Sequence, residues 1–135
     1  MIRAAIVTAV AMFAVGGIWY GALFAQLWGK IHGFDTLSPA EQKRLQSQTG
    51  PLYGLQAFVT LVSAGVLVYL VEQLGTTPYI LAFWLWLGFV MPAQVSAVLF
   101  GGTAPRWMVS KTLVMTGEAL VRLEVAAWVV SLFIK

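Results

Sequence analysis

The sequence contains no cysteine and few charged residues, with eight Lys and Arg and five Asp and Glu among 135 residues. Without cysteine the chain cannot form disulfides, thiolate nucleophiles or cysteine-ligated metal and iron–sulfur sites. Its one histidine, His32, has no second His or carboxylate at metal-ligand spacing. The sequence also lacks a Ser-His-Asp set and a phosphate-binding glycine loop. We therefore expect no metal, no cofactor and no ordinary enzyme chemistry.

The apolar content of the chain is high, since 60% of its residues are hydrophobic and the mean hydropathy is +0.86. Residues 4–29, 45–71 and 73–105 are free of charge, and each stretch exceeds the roughly 20 residues needed to cross a bilayer. A soluble domain of this size cannot bury so much apolar surface, whereas lipid accepts it. We therefore expect an integral membrane protein with membrane lipid as its main partner. The scattered basic residues form no patch and do not indicate a nucleic-acid partner.

The apolar runs predict an all-α polytopic membrane protein, a four-transmembrane-helix bundle in one domain over residues 1–135. The expected spans are about residues 4–28, 52–71, 79–100 and 107–134. Between the first two, Ser38-Pro39-Ala40-Glu41 fits a capping box with proline at the first helical position. This motif predicts a short surface helix over about residues 39–47, which Gly50-Pro51 is expected to end.

The distribution of positive charge predicts the orientation of the bundle, because Lys and Arg are retained on the cytoplasmic side of a membrane. The first and third loops share one side and hold, in or beside them, Lys30, Lys43, Arg44, Arg106 and Lys111. The opposite side has Arg3 and Lys135 with the α-amino group. We therefore expect both termini outside and both of these loops in the cytoplasm.

The predicted fourth span contains charged side chains, which are costly in a membrane and therefore face a bundle interior, a water-filled cavity or a partner. Lys111, Glu118 and Arg122 fall on one stripe, and Glu118 precedes Arg122 by four residues, which favours an ion pair. Glu124 points about 140° away from Lys111. One polar face must then meet another helix, in the bundle or in a neighbouring subunit. These four residues are the predicted intramembrane polar site.

Two interpretations of the Glu118–Arg122 pair stay open at this stage. The pair can be structural and lock the register of its helix. Alternatively, it can form a polar site near the midplane that binds a head group, an ion or a proton.

Four polar or aromatic side chains within the spans are candidates for the lining of a cavity, namely Trp19, Tyr20, Gln56 and Gln94. The first two lie deep in the first span and either serve as packing residues or present their N–H and O–H groups to the cavity. The third shares a mildly polar face with Thr60 and Ser63. The fourth lies beside Pro92, which removes one backbone hydrogen bond and is expected to kink the third span.

The run Gly17-Ile18-Trp19-Tyr20-Gly21-Ala22-Leu23-Phe24, followed by Trp28 and Gly33, resembles the opening of a family of small, mostly bacterial four-helix membrane proteins. This family is catalogued only as a domain of unknown function. Later landmarks that are similar in order and spacing are Tyr53-Gly54, Leu87-Gly88-Phe89 and Leu99-Phe100-Gly101-Gly102. The resemblance covers nearly the whole chain and implies four transmembrane helices in a bacterial inner (plasma) membrane, with no established activity, substrate or cofactor. Many members carry Asn or His near the position of Glu118, where this chain departs from the pattern.

Three hypotheses for the function follow from these features. The first is a non-enzymatic membrane protein, a homo-oligomer or an accessory subunit of a membrane complex, whose fourth-span charges organise assembly. The second is a small transporter or channel for protons, cations or amphipathic solutes, with Glu118 as the titrating group and Arg122 as its modulator. The third, a membrane enzyme that conjugates lipophilic substrates, is disfavoured because the chain has few convergent basic residues for a polar cosubstrate.

Overall fold

The computed structural model describes residues 1–134, and all regular elements in that range are helical. The longer helices are α1 (Ile2–Leu23), α2 (Ala25–Ile31), α3 (Pro39–Leu74), α4 (Pro78–Phe100) and α5 (Met108–Phe133). Short 3₁₀ turns precede α3 and α5, at Phe34–Thr36 and Pro105–Trp107. The predicted all-α class is therefore confirmed for the described part of the chain. Lys135, which entered the predicted orientation, lies outside the described residues.

Three of the helices, α1, α3 and α4, are long and apolar enough to cross a membrane. Large apolar side chains lie exposed along them, among them Phe58 and Phe89, which is what a lipid-facing surface requires. Helix α5 is 26 residues long but contains four charged residues, so its composition alone does not establish a fourth span. The expected location in a membrane is thus supported by three helices.

The structure corrects the predicted break at Gly50-Pro51. The surface helix expected over about residues 39–47 and the span expected from residue 52 form one 36-residue helix, α3, with Pro51 inside it. A proline disfavours helical geometry at the preceding residue partly through that residue's Cβ, and Gly50 has none, so the helix continues. The predicted capping box is confirmed, because the Glu41 N–H donates to Ser38 Oγ at 3.3 Å.

The first predicted span, residues 4–28, is also interrupted. Helix α1 ends in a π-helical segment, Trp19–Leu23, and Phe24 leaves the helical region of backbone space with φ −121° and ψ 19°. The chain resumes as α2 at Ala25. A second π-helical segment, Trp86–Val90, lies inside α4 and ends two residues before Pro92. The distortion expected from Pro92 is therefore found in the preceding turn, where the carbonyl groups lack the proline N–H as a partner.

Helix α5 is the centre of the fold, since it packs against α1 and against the whole length of α4. Helix α3 packs mainly on α1 and scarcely touches α4 or α5. The core that joins all these helices lies at the end where the chain begins, and its buried members are Ala4, Met12, Ala64, Leu67, Val68, Val71, Ala126 and Val130. The first buried residue of α3 is Thr60. The bundle is consequently closed at the end near the termini and open at the opposite end, towards the loops that precede α3 and α5.

Candidate functional site

A cavity of about 510 Å³ occupies the open half of the bundle, between α1, α3, α4 and α5. Its size falls in the range of small-molecule sites. Its polar lining consists of Tyr20, Tyr53, Gln56, Thr60, Gln94, Glu118 and Arg122. Apolar and aromatic groups complete the wall, among them Met12, Phe13 and Trp28. The cavity therefore combines hydrogen-bonding groups with apolar surface.

The Glu118 carboxylate is buried in the wall of this cavity, where its side chain is 3% exposed. It approaches α1 closely, because a Cβ placed on Gly16 would lie 3.6 Å from Glu118 Oε1. A separation of 3.6 Å is an ordinary van der Waals contact, so the carboxylate lies directly beside the α1 backbone. The charge on α5 is therefore directed into the molecule rather than towards its outer surface.

Arg122 forms the predicted ion pair with Glu118, one turn further along α5. The Arg122 Nε–Glu118 Oε1 distance is 3.5 Å, and Nε has no hydrogen-bond partner within residues 1–134. The pair is thus held by charge without the two parallel hydrogen bonds that make Arg–carboxylate pairs rigid. The guanidinium retains donors for another acceptor.

A smaller cavity of about 160 Å³ adjoins the first one at Arg122. The two cavities share Met12, Gln56, Thr60 and Arg122, and Ser63 lines only the smaller one. The polar face predicted on α3 therefore borders both cavities. The Thr60 hydroxyl donates to the Gln56 carbonyl oxygen at 2.7 Å and accepts from Gln56 Nε2 at 3.3 Å.

Gln94 is the residue that α4 contributes to the polar lining of the larger cavity. Its Oε1 is buried and has no hydrogen-bond partner in the described part of the chain. A buried amide oxygen without a partner is costly, and such groups call for a donor supplied by water or a ligand. Gln94 therefore offers an acceptor to whatever occupies the cavity.

Tyr20 and Trp19, adjacent in the first π-helical segment, have different places in the structure. Tyr20 lines the cavity and packs on Trp28, with ring centroids 4.7 Å apart. Trp28 in turn packs on His32 at 4.3 Å, and Lys111 Nζ lies 5.8 Å from the Trp28 ring centroid. Lys111 is not part of the cavity lining, but it lies within cation–π distance of Trp28 in the cavity wall.

Trp19 is an anchor between α1 and α5 and is not in the cavity lining. Its indole N–H donates to the Val114 carbonyl oxygen at 3.0 Å. Trp86 of α4 does the same from the other side of α5, donating to the Thr116 carbonyl oxygen at 2.8 Å. Both residues open a π-helical segment with glycine in the third position, Trp19-Tyr20-Gly21 and Trp86-Leu87-Gly88. Such segments are frequent at functional sites, and these two fix α5 on either side just before Glu118.

Glu124 is the one predicted polar-site residue of α5 that points away from the cavity. It lies on the same face as Val121 and Trp128, which are 39% and 54% exposed. No ion pair of Glu124 occurs within residues 1–134. The separation of the two polar faces, predicted from the helical wheel, is thus present in the structure.

Sequence reasoning missed several wall residues. Trp28 and Tyr53 lie near the predicted membrane interfaces, where aromatic residues are common as anchors. In the structure both line the cavity, Trp28 because the chain turns into α2 and Tyr53 because α3 is continuous. Within residues 1–134, no group of three or more His, Asp and Glu side chains is placed to hold a metal ion.

Over residues 1–134, the fold and cavity define a class, an all-α protein with helices long and apolar enough to span a membrane and a polar cavity between them. The chain belongs to a family described as "Protein of unknown function (DUF1761)", whose model matches residues 3–133. The predicted family is therefore confirmed. The runs Gly17 to Phe24 and Leu87 to Phe89, on which the resemblance was based, overlap the two π-helical segments that contact α5. No curated protein and no solved structure matches the chain.

Proposed function

We propose that the chain crosses the membrane four times and is a small transporter that binds an amphipathic solute in the cavity between its helices. Helix α5 is the fourth span in this proposal. At about 1.5 Å per residue, its 26 residues are long enough to cross the hydrocarbon. It packs between α1 and α4, both of which are apolar enough to span. Its Glu118 is screened from lipid by those neighbours.

The observation that carries the proposal is that the Glu118–Arg122 pair borders a cavity. An ion pair that serves only to fix the register of a helix is expected to be enclosed by packed side chains. Empty space beside such a pair would allow its side chains to adopt other arrangements. Here the guanidinium separates two cavities, and Gln94 leaves an acceptor unpartnered. These features favour the transporter hypothesis over a purely structural role.

The asymmetry of the bundle supports access from one side. The core near the termini closes the cavity at that end, whereas α3 and α4 are hardly in contact towards the loops. The basic loops suggest that this open side is cytoplasmic, and the family's mostly bacterial membership suggests the plasma membrane of a bacterium. An amphipathic solute has two routes, from water between the loops and from lipid between α3 and α4.

Cysteine accessibility tests the proposed cavity, and the natural chain is a suitable background because it has no cysteine. Gln56→Cys and Thr60→Cys should react with a membrane-impermeant thiol reagent added on the loop side. Val62→Cys is the matched control, since Val62 lies on the same helix and is 50% exposed but faces lipid. We expect labelling at least about tenfold slower at position 62, because the thiolate that reacts does not form in hydrocarbon.

The same variants in inverted and right-side-out vesicles separate transport from static binding. A transporter should expose position 60 to reagent from both sides, alternately, and a saturating solute should protect it. Equal labelling at positions 60 and 62 would contradict an aqueous cavity. Labelling from the terminal side alone would contradict the proposed orientation.

A second candidate function, assembly with another membrane protein, is favoured by Glu124. A carboxyl group on a lipid-facing surface is expensive, and a neighbouring subunit can supply its partner. The nearby Trp128 exposes an indole on the same face, so a second copy of the chain offers a donor to Glu124 and is the proposed partner.

Substitution of Glu124 tests this assembly. Glu124→Leu should shift the protein from oligomer to monomer in proteoliposomes, measured by energy transfer between differently labelled copies. Glu72→Leu, at the exposed end of α3, is the control and should leave the transfer unchanged. Undiminished transfer in Glu124→Leu would exclude this face as the contact.

A further inference from the structure

We propose that the ligand is an amphipathic anion, and that the Glu118 carboxylate competes with its head group for the Arg122 guanidinium. This inference rests on the proposed binding function of the cavity and adds the chemical class of the solute. The head group would lie between Arg122 and Gln56, and the tail along the apolar wall.

The geometry of Arg122 is the first support for an anionic head group. Glu118 lies 3.5 Å from Arg122 Nε and leaves that N–H without a hydrogen bond within the described residues. A guanidinium has five N–H donors in a planar fork that matches carboxylate, phosphate and sulfonate oxygens. An incoming anion can therefore form the close, paired hydrogen bonds that the carboxylate of Glu118 does not form.

The charge balance around the cavity is the second support. Arg122 lines it and Lys111 lies outside its lining, 5.8 Å from the Trp28 ring in its wall, whereas Glu118 is the one acid in its lining within residues 1–134. The neighbouring helices add no further charge, since α1 contributes Tyr20, α3 contributes Tyr53 and Gln56, and α4 contributes Gln94. Arg122 in the lining, with Lys111 beside the wall, favours an anionic ligand, because an anion in a low-dielectric site must meet a counter-charge.

The apolar wall is the third support and indicates an amphiphile. Met12, Phe13 and Trp28 line the cavity beside its polar groups. The weak contact between α3 and α4 leaves room for a chain that continues into the bilayer. A small hydrophilic anion would leave this surface unpaired, whereas an alkyl tail covers it.

Competition for Arg122 links binding to protons. When a head group takes over the guanidinium, the Glu118 carboxylate loses its counter-charge in a buried place. The carboxylate then gains a proton instead of remaining ionised and unpaired. Glu118 should therefore take up one proton for each anion that binds. The affinity of the protein for the anion should consequently rise as the pH falls.

Isothermal titration in phosphatidylcholine nanodiscs tests this inference, with decanesulfonate as the probe. Its head group stays ionised at all working pH values, so any pH dependence belongs to the protein. The full chain should bind decanesulfonate with affinity that rises by up to about tenfold per pH unit on acidification. Titration in buffers of different ionisation enthalpy should give an uptake of one proton.

Two variants separate the roles of the pair. Glu118→Gln removes the competing charge and should bind the probe at least about tenfold more tightly at neutral pH, with no proton uptake. Glu118→Gln combined with Arg122→Gln leaves a neutral site that is expected to fold and should not bind. Weaker binding by Glu118→Gln, or binding that survives in the double variant, would overturn the competition.

Two further arms identify the source and the sign of the ligand. Phosphatidylglycerol added to the nanodiscs should lower the apparent affinity for decanesulfonate if a lipid is the natural anion, and should leave it unchanged if a free amphiphile is. Decyltrimethylammonium should not bind. Preferential binding of this cation, lost in Glu118→Gln, would overturn the anionic ligand while the proposed transporter stands. Absence of all binding together with equal labelling of positions 60 and 62 would reject both proposals.

Discussion

Replacing Arg122 alone with methionine should destabilise the folded protein by about 2 to 3 kcal/mol, because Glu118 would remain buried without its counter-charge. Breaking a fully buried pair costs roughly 3 to 5 kcal/mol. We expect less here, since the Arg122 side chain is 24% exposed and part of its charge is already solvated. Replacing both members, as Glu118→Gln with Arg122→Met, should cost under about 1 kcal/mol, because no buried charge remains.

A double-mutant cycle in bicelles, with reversible unfolding measured for each variant, gives the coupling energy of the pair. Lys43→Met is the control for loss of a positive charge, since Lys43 is exposed near the start of α3 and should change stability by less than about 0.5 kcal/mol. If the loss in the double variant equals the sum of the losses in the Arg122→Met and Glu118→Gln single variants, the two charges do not stabilise each other. The pair would then have no structural role.

The apolar runs of the sequence were sufficient to predict three long helices and the extent of a fourth. Helices α4 and α5 begin and end within a residue of the predicted limits, because Pro78 and the Gly101-Gly102 turn are strong local signals. The beginning of α3 was equally clear from its capping box. Local signals of this kind act through one or two backbone hydrogen bonds, which tertiary packing leaves in place.

The break expected at Gly50-Pro51 shows where local signals fail. Glycine and proline each tend to end a helix. Proline does so partly through a clash with the Cβ of the preceding residue, and this clash is absent here because Gly50 has no Cβ. The π-helical segments are a different case. They depend on contacts of Trp19 and Trp86 with the α5 backbone, which are separated from these residues by 95 and 30 positions in the sequence. No periodicity contains such information.

Part of the candidate site could be predicted because it depends on local helix geometry. The helical wheel of α5 separates Glu118 and Arg122 from Glu124, and that separation depends only on helix geometry. The burial of Glu118 depends instead on how closely α1 approaches α5, since Glu118 Oε1 lies next to Gly16 of α1. The presence of a cavity depends on the divergence of α3, whose first buried residue is Thr60.

Substituting valine for Gly117 should destabilise the protein by about 2 to 3 kcal/mol, because the position faces the Trp19 ring with almost no free space. A Cβ at Gly117 would lie 3.3 Å from the Trp19 ring atom Cζ2, and the two further methyl groups of valine should push the indole away and weaken its hydrogen bond to Val114. Gly65→Val is the matched control within α3, where a Cβ would meet nothing within 4 Å.

The Trp19 ring is the proposed cause of this loss, and a second substitution can identify it. Trp19→Phe removes the ring atoms that face Gly117 together with the indole N–H, and should cost about 1 to 2 kcal/mol by itself. The double variant should lose about 1 kcal/mol less stability than the sum of the two single losses, because phenylalanine leaves space for the valine. Additive losses would mean that Gly117 is constrained by another contact. Since Trp19 fixes the π-helical turn that directs Tyr20 into the cavity, Gly117→Val should also weaken decanesulfonate binding, whereas Gly65→Val should not.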